Sequence, residues 1–149
     1  MYQLTPYGQY IVSQYERAVP WFTTITIPFA SFQSANARTG DIPTDECVDP
    51  VLILEMGVDF LNALVKVTIK DNHQYSWMQT GQNSTLAPIH TVAGAATQVS
   101  PILPIPIEYF LSGKNKLFFD FQNASTSPET ANRFLTCRGL RLKNLLKKS

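Results

Sequence analysis

The fold is decided by the stretch ILPIPIEYFLSGKNKLFFDFQNASTSPETANRFLTCRGLRL, residues 102–142. Its middle part, residues 116–122, alternates in polarity, and successive side chains of a β-strand point to opposite faces. Leu117, Phe119 and Phe121 fall on one face, whereas Asp120 and its alternate neighbours Phe118 and Gln122 fall on the other. The pattern predicts a half-buried strand with an aromatic inner face.

The residues on either side of this strand predict its neighbours. Pro104 and Pro106 each lack a backbone donor, which places residues 102–111 at a sheet edge or at the entry to a strand. Residues 112–115, SGKN, supply the turn residues for an antiparallel pair with the aromatic strand. After a polar loop at 123–132, residues 134–142 predict a last strand, in which Leu135, Cys137 and Gly139 face away from Phe134, Thr136 and Arg138.

Further strands are predicted upstream of this stretch. Residues 21–29 are rich in β-branched side chains, residues 51–60 form an apolar run typical of a central strand, and residues 64–70 alternate with Lys66, Thr68 and Lys70 outward. Residues 73–78 return after a turn, while 31–50 and 79–100 have the composition of loops. We predict an all-β protein, a single antiparallel β-sandwich of jelly-roll-like type over 21–142, with an extended N-terminal arm at 1–20 and a basic C-terminal tail at 143–149.

Composition limits the classes of function. The chain has 149 residues, 15% of them charged, and a net charge of +1, so it has no overall field that would attract nucleic acid. It shows neither a secretory signal nor a membrane-spanning run. Cys47 and Cys137 are too far apart in sequence for a local metal or redox motif, and we expect free thiols. We therefore expect a protein that folds in a cytoplasm and binds neither membrane nor nucleic acid.

The first twenty residues are rich in tyrosine. Tyr2, Tyr7, Tyr10 and Tyr15 stand among Gln, Ser and Pro without a clear helical or strand period. Tyrosine combines a large apolar ring with a hydrogen-bonding tip and so suits a contact with a neighbouring subunit. Two alternatives follow from this composition: the arm lies across a neighbour, or it packs back on its own domain.

Groups with chemical potential are few and scattered. His73 and His90 are the only histidines, and neither belongs to a catalytic or metal-binding motif. Glu108 and Asp120 would face each other across the predicted hairpin as a glycosidase pair, although solvent-facing acids are the commoner explanation. Four acids in the 31–50 loop, Asp41, Asp45, Glu46 and Asp49, lack the spacing of a calcium loop. We predict no catalytic residue, no metal, no cofactor and no enzyme activity.

The closing stretch resembles the small β-sandwich structural proteins of tailed-bacteriophage virions. These proteins combine a Pro-rich approach, a short turn with Gly or Asn, a strand of the sense L-x-F-D-F-x-N, and a final strand that ends in Gly-Leu/Tyr-Arg. The matching residues are Pro101, Pro104, Pro106, Gly113, Asn115, Leu117, Phe119, Asp120, Phe121, Asn123, Arg138, Gly139, Leu140 and Arg141. The resemblance covers about a quarter of the chain and concerns residue type and spacing.

The resemblance implies a virion structural protein of the capsid-associated, vertex, collar or tail-attached type. Such a protein would form homo-oligomers, would fold in the host cytoplasm and would join the virion through capsid, portal or tail subunits. The residues that we predict at its interfaces are Tyr2, Tyr7, Tyr10, Tyr15, Arg138 and Arg141. The main alternative is a carbohydrate- or receptor-binding module that uses Trp21, Tyr75 or Trp77 for stacking, and a hydrolase is a more distant one.

Overall fold

The computed structural model describes residues 3–28, 38–59, 65–72, 79–80, 83–84, 87–88, 94–95, 103–123 and 132–146. These residues contain one helix and eleven strands. In chain order they are α1 (Pro6–Ser13), β1 (Tyr15–Ile27), β2 (Arg38–Pro43), β3 (Val51–Val58), β4 (Val65–Lys70), β5 (Gln79–Thr80), β6 (Asn83–Ser84), β7 (Ala87–Pro88), β8 (Gly94–Ala95), β9 (Leu103–Leu111), β10 (Phe118–Asn123) and β11 (Arg133–Leu145).

Two sheets pack face to face. The larger, five-stranded sheet has the order β1-β11-β3, with β8 and β9 both along the far side of β3. The smaller sheet has the order β2-β10-β4-β7, and β5 pairs with β6 separately. Every pair is antiparallel except β3 with β8. The prediction of an all-β sandwich is confirmed, and its jelly-roll connectivity stays a prediction.

The core between the sheets consists of side chains that alternate along their strands. Phe119 and Phe121 of β10 are fully buried with stacked rings, as the alternation of residues 116–122 predicts. In strand β4 the residues predicted to point inward, Val65, Val67 and Ile69, are buried. The core residues of the larger sheet are Ile25, Ile27, Val51, Ile53, Met56, Val58, Leu111, Leu135 and Cys137, and those contributed by the smaller sheet and its approach are Val65, Val67, Ile69, Leu117, Phe119 and Phe121.

Strand β3 is covered on both faces, as its continuous apolar run predicts. Ile53 and Met56 belong to the core between the sheets, whereas Leu52 and Leu54 belong to a second cluster on the opposite face. Helix α1 covers this second cluster with Ile11 and other apolar side chains. A sandwich strand flanked by a second sheet on one face and a helix on the other needs no polar face.

The predicted hairpin between residues 102–111 and the aromatic strand is wrong. Strand β9 pairs with β3 in the larger sheet, whereas β10 lies between β2 and β4 in the smaller one. The SGKN segment carries the chain from one sheet to the other, with Lys114 at φ 63° and its N–H donating to the Cys47 carbonyl at 2.6 Å. Turn residues reverse the chain direction equally well within one sheet and between two.

The N-terminal segment does not extend from the domain. Thr5 caps α1, and Pro6 begins it at a position where the missing N–H costs nothing. The helix packs on the second cluster, so of the two alternatives the segment packs back on its own domain. The first strand begins at Tyr15, where Trp21 was predicted, and pairs along its length with β11. Because β11 continues to Leu145, the predicted C-terminal tail begins inside a strand.

Other departures from the predictions concern loops and exposed faces. The predicted 31–50 loop contains β2, and the predicted 79–100 loop contains the short strands β5 to β8. Thr68 and Asp120, predicted to face solvent, are buried, and Arg38 of β2 forms an ion pair with Asp120. The predicted strand at 73–78 and the residues His73, Tyr75, Trp77 and His90 lie outside the described residues.

Candidate assembly surface

The face of the larger sheet that points away from the smaller sheet is only partly covered. Helix α1 covers its part around Leu52, Leu54 and Leu142. The remaining part, called the outer face below, is formed by β1 and β11, because their alternate residues Ile25 and Leu135 point into the core. Its side chains are those of Phe22, Thr24, Thr26, Phe134, Thr136 and Arg138.

The outer face exposes two large aromatic side chains. Phe22 is 71% exposed and Phe134 is 44% exposed. Between them Thr24 and Thr136 lie opposite each other in the ladder, with their hydroxyl oxygens 3.2 Å apart. An exposed apolar surface with a polar surround is typical of a site that contacts another protein or a ligand.

A shallow groove of about 730 Å³ runs beside Phe22. Leu54 and Leu140 form part of its wall, and Glu55 and Arg138 face each other there with 3.5 Å between Oε2 and Nη2. The ladder between β11 and β3 shifts between Arg138 and Gly139, and Leu54 is the additional residue of β3. This β-bulge places an ion pair next to the apolar wall of the groove.

The predicted interface residues are not brought together. Tyr7 and Tyr10 are exposed on α1, whereas Tyr15 packs against the second cluster, and Tyr2 lies outside the described residues. Arg138 lines the groove on the outer face. Arg141 lies further along β11 and does not belong to the outer face. Its Nε is 3.5 Å from Oδ2 of Asp49. Arg138 and Arg141 therefore each face an acid of their own chain, and only Arg138 belongs to the outer face.

Phe22 and Phe134 are the surface residues that the predicted interface omits. The alternation of residues 134–142 places Phe134 on the face opposite Leu135, and Thr24 and Thr26 define the corresponding face of β1. Phe22 has the same parity as these threonines, so the period of two places it on the solvent side. The alternation was therefore the signal from which this surface could have been predicted.

Glu108 fastens helix α1 to the larger sheet. Its side chain is fully buried, and Oε1 accepts a hydrogen bond from the Thr5 N–H at 2.6 Å. The residue adopts φ 46°, a conformation that is uncommon outside glycine. A Cβ atom on Gly8 would lie 1.6 Å from Oε2 of Glu108, so the carboxylate occupies the space that this glycine leaves at the start of the helix. A negative group is favourable there because the helix N-terminus presents unpaired N–H groups.

We expect Glu108→Ala to lower the free energy of unfolding by about 1–3 kcal/mol, because it removes the buried carboxylate that accepts the hydrogen bond of the Thr5 N–H. Glu108→Gln retains a carbonyl oxygen for this hydrogen bond and should cost less. Urea unfolding followed by circular dichroism compares the two variants with the wild type. Equal losses for Ala and Gln would contradict the role of the hydrogen bond.

Both cysteines are free. Burial raises the pKa of the Cys137 thiol to about 12, with a smaller contribution in the same direction from Cys47. Burial and, after it, Asp45 raise the pKa of Cys47, against an opposing effect of Arg141. Because the thiolate is the nucleophilic form, neither environment activates a cysteine for catalysis.

Two of the acids singled out in the 31–50 loop lie next to cations of the same chain. Asp41 accepts from Lys70 at 2.8 Å, and Asp49 lies near Arg141. Glu108 and Asp120 belong to strands of different sheets, so the hairpin that would have paired them as glycosidase carboxylates does not exist. Across the described parts of the chain, no three or more His, Cys, Asp or Glu side chains are grouped to hold a metal ion. None of the described helices is long and apolar enough to span a membrane.

No protein-family model, no curated protein and no solved structure matches this chain. The class that the structure itself defines is an all-β sandwich of two packed sheets.

Proposed function

We propose that the protein is a non-enzymatic structural component of a tailed-bacteriophage virion. It folds in the host cytoplasm, associates with copies of itself, and joins capsid, portal or tail subunits as a capsid-associated decoration or vertex protein or as a head-tail component. In this proposal the sandwich has jelly-roll connectivity. The observation that carries it is the outer face, with Phe22 71% exposed beside a groove. The resemblance of the closing stretch to virion sandwich proteins supports the same assignment.

Physical properties of the surface fit a subunit held by neighbours. Only 15% of the residues are charged, below the roughly 25% of typical soluble domains, so less of the surface carries side chains that resist burial. Arg138, the cation next to the groove, faces Glu55 and can be buried with its partner. Symmetric assembly multiplies contacts that are individually modest.

The full-length wild-type protein is expected to be an oligomer, and Phe22→Ser should shift it toward the monomer by removing the most exposed aromatic contact of the outer face. Leu145→Ser is the matched control, because Leu145 is 66% exposed but lies at the far end of β11. Light scattering measures the mass of each variant, and negative-stain microscopy of the same peak shows the shape. A wild-type monomer, or an equal loss of mass for both variants, would contradict assembly through this face.

A carbohydrate- or receptor-binding module is the second candidate function. The groove favours it in one respect, because the exposed Phe22 ring stands beside Thr136 and the Glu55–Arg138 pair, and sugars bind by stacking on rings with nearby polar groups. Trp21, which was predicted to stack, is half-buried and packs against the core. Glycan-array binding by the wild type that is lost in Phe22→Ala would support this candidate, whereas absence of any glycan signal would count against it.

A further inference from the structure

Strand β1 is an edge of the larger sheet. It pairs with β11 from Tyr15 to Ile27, and within the part of the chain that the structure describes it has no partner on its other side. An edge strand presents a row of unpaired N–H and C=O groups, which proteins commonly protect with charges or prolines. In β1 these protecting residues stand only in the first half, at Glu16, Arg17 and Pro20. Residues 21–27, WFTTITI, contain neither a charge nor a proline.

The position of Pro20 indicates which backbone groups face outward. Prolines within sheets occupy edge strands with the nitrogen turned away from the partner strand, since otherwise a ladder hydrogen bond is lost. Pro20 lies opposite Leu140 of β11, and the ladder has no shift from Arg17 to Ile27. Because backbone groups alternate in direction along a strand, Phe22, Thr24 and Thr26 point their N–H and C=O groups the same way as Pro20, toward the free edge.

We propose that residues 21–27 pair antiparallel with the same segment of a second copy of this chain, about a two-fold axis at Thr24. This inference rests on the proposed function, because it names the contact through which copies of the subunit meet. The pairing would use about six backbone hydrogen bonds, two for each pair formed by the outward-facing residues. It would join the larger sheets of the two copies into one continuous sheet.

The sequence of the segment is complementary to itself in this register. Phe22 lies opposite Thr26 of the second copy, a combination of an aromatic and a β-branched residue that stabilises cross-strand contacts, and Trp21 lies opposite Ile27. Thr23 lies opposite Ile25, and the two Thr24 residues lie opposite each other. Residue 24 lies opposite its own copy, so a charge there would meet a like charge, and the segment carries none. A shift of the axis to residue 23 would place Pro20 opposite Thr26, whose outward C=O would then have no N–H to accept from.

Cysteine cross-linking tests the register directly. In a hydrogen-bonded antiparallel pair the opposed Cα atoms are about 5.5 Å apart, within the range that a disulfide bridges. Thr24→Cys, in a Cys47→Ser background, should therefore form a covalent dimer with oxidised glutathione, seen as a doubled mass on a non-reducing gel. Thr26→Cys in the same background is the matched control, because the two copies of residue 26 would be about 13 Å apart. Equal cross-linking of the two variants, or none with Thr24→Cys, would overturn the proposal.

Sedimentation separates failure of this contact from failure of the proposed function. Thr24→Lys puts two like charges on the axis and should reduce the dimer, whereas Gln9→Lys adds the same charge to an exposed position of α1, outside both surfaces, and should not. If Thr24→Cys does not cross-link but Phe22→Ser loses mass and Leu145→Ser does not, the edge pairing is wrong and assembly through the outer face still stands. If Thr24→Cys cross-links but Phe22→Ser and Leu145→Ser lose mass equally, the edge pairing is supported and assembly through the outer face is wrong.

Discussion

Gly139→Ala is expected to lower the free energy of unfolding by about 3 kcal/mol or more, at the upper end of what overpacking costs. Gly139 lies next to the bulge in the ladder between β11 and β3. A Cβ atom there would stand 2.0 Å from the backbone oxygen of Leu52. A flexible side chain could move aside, but a backbone carbonyl of a central strand cannot move without breaking its ladder. Strand β11, which contributes to both the core and the outer face, would separate from β3 at this point.

Gly40→Ala is the matched control for this prediction. Gly40 has φ +76° and open space around the position of a Cβ atom, so alanine there meets conformational strain and no clash. Such strain costs about 1–2 kcal/mol for a residue other than glycine. Urea unfolding of both variants should therefore rank Gly139→Ala well below Gly40→Ala in stability. Similar losses would mean that β3 and β11 adapt to the added methyl group.

Phe121→Ala is the second change with a large expected effect, a loss of about 3–5 kcal/mol in the free energy of unfolding. The ring is fully buried between the sheets, and its centroid lies 6.0 Å from that of Phe119. Truncation removes apolar surface from the core and leaves a cavity, because β10 is fixed on both sides by β2 and β4.

Phe118→Ala provides the comparison within the same strand. Phe118 points to the opposite face of β10 and is only partly buried. Its truncation should cost clearly less than that of Phe121, and thermal unfolding by calorimetry measures the difference. A loss at Phe118 as large as that at Phe121 would contradict the assignment of the inner face of this strand.

The faces of the strands were predictable because they depend on a local period of two. Phe119 and Phe121, Leu135 and Cys137, and Val65 and Val67 of β4 all point inward as their alternation predicts. Departures occur where a distant partner changes the cost of burial. Asp120 has the parity of an exposed residue, but Arg38, which is far away in sequence, neutralises it inside the smaller sheet.

The N-terminal segment shows a related limit. Its tyrosines have no clear helical or strand period. The residues that hold the segment are Glu108 and the apolar side chains around Leu52, which lie about fifty positions or more away in sequence. Composition shows that Tyr10 has an aromatic ring and a hydroxyl group. It does not show that the helix that carries Tyr10 packs on the apolar cluster around Leu52. The edge of β1 was equally hidden, since an edge exists only once the neighbours of a strand are known.

The sequence alone determined that this protein is an all-β sandwich, which residues face its core, and that its cysteines belong to no local motif. The tertiary structure decided which strands are neighbours, that β9 and β10 lie in different sheets, and that Phe22 stands on an exposed face beside a free edge. The physical reason is that side-chain alternation is a property of each strand alone. Pairing depends on which of several edges offers the most favourable burial, and that is settled only when all strands are present together.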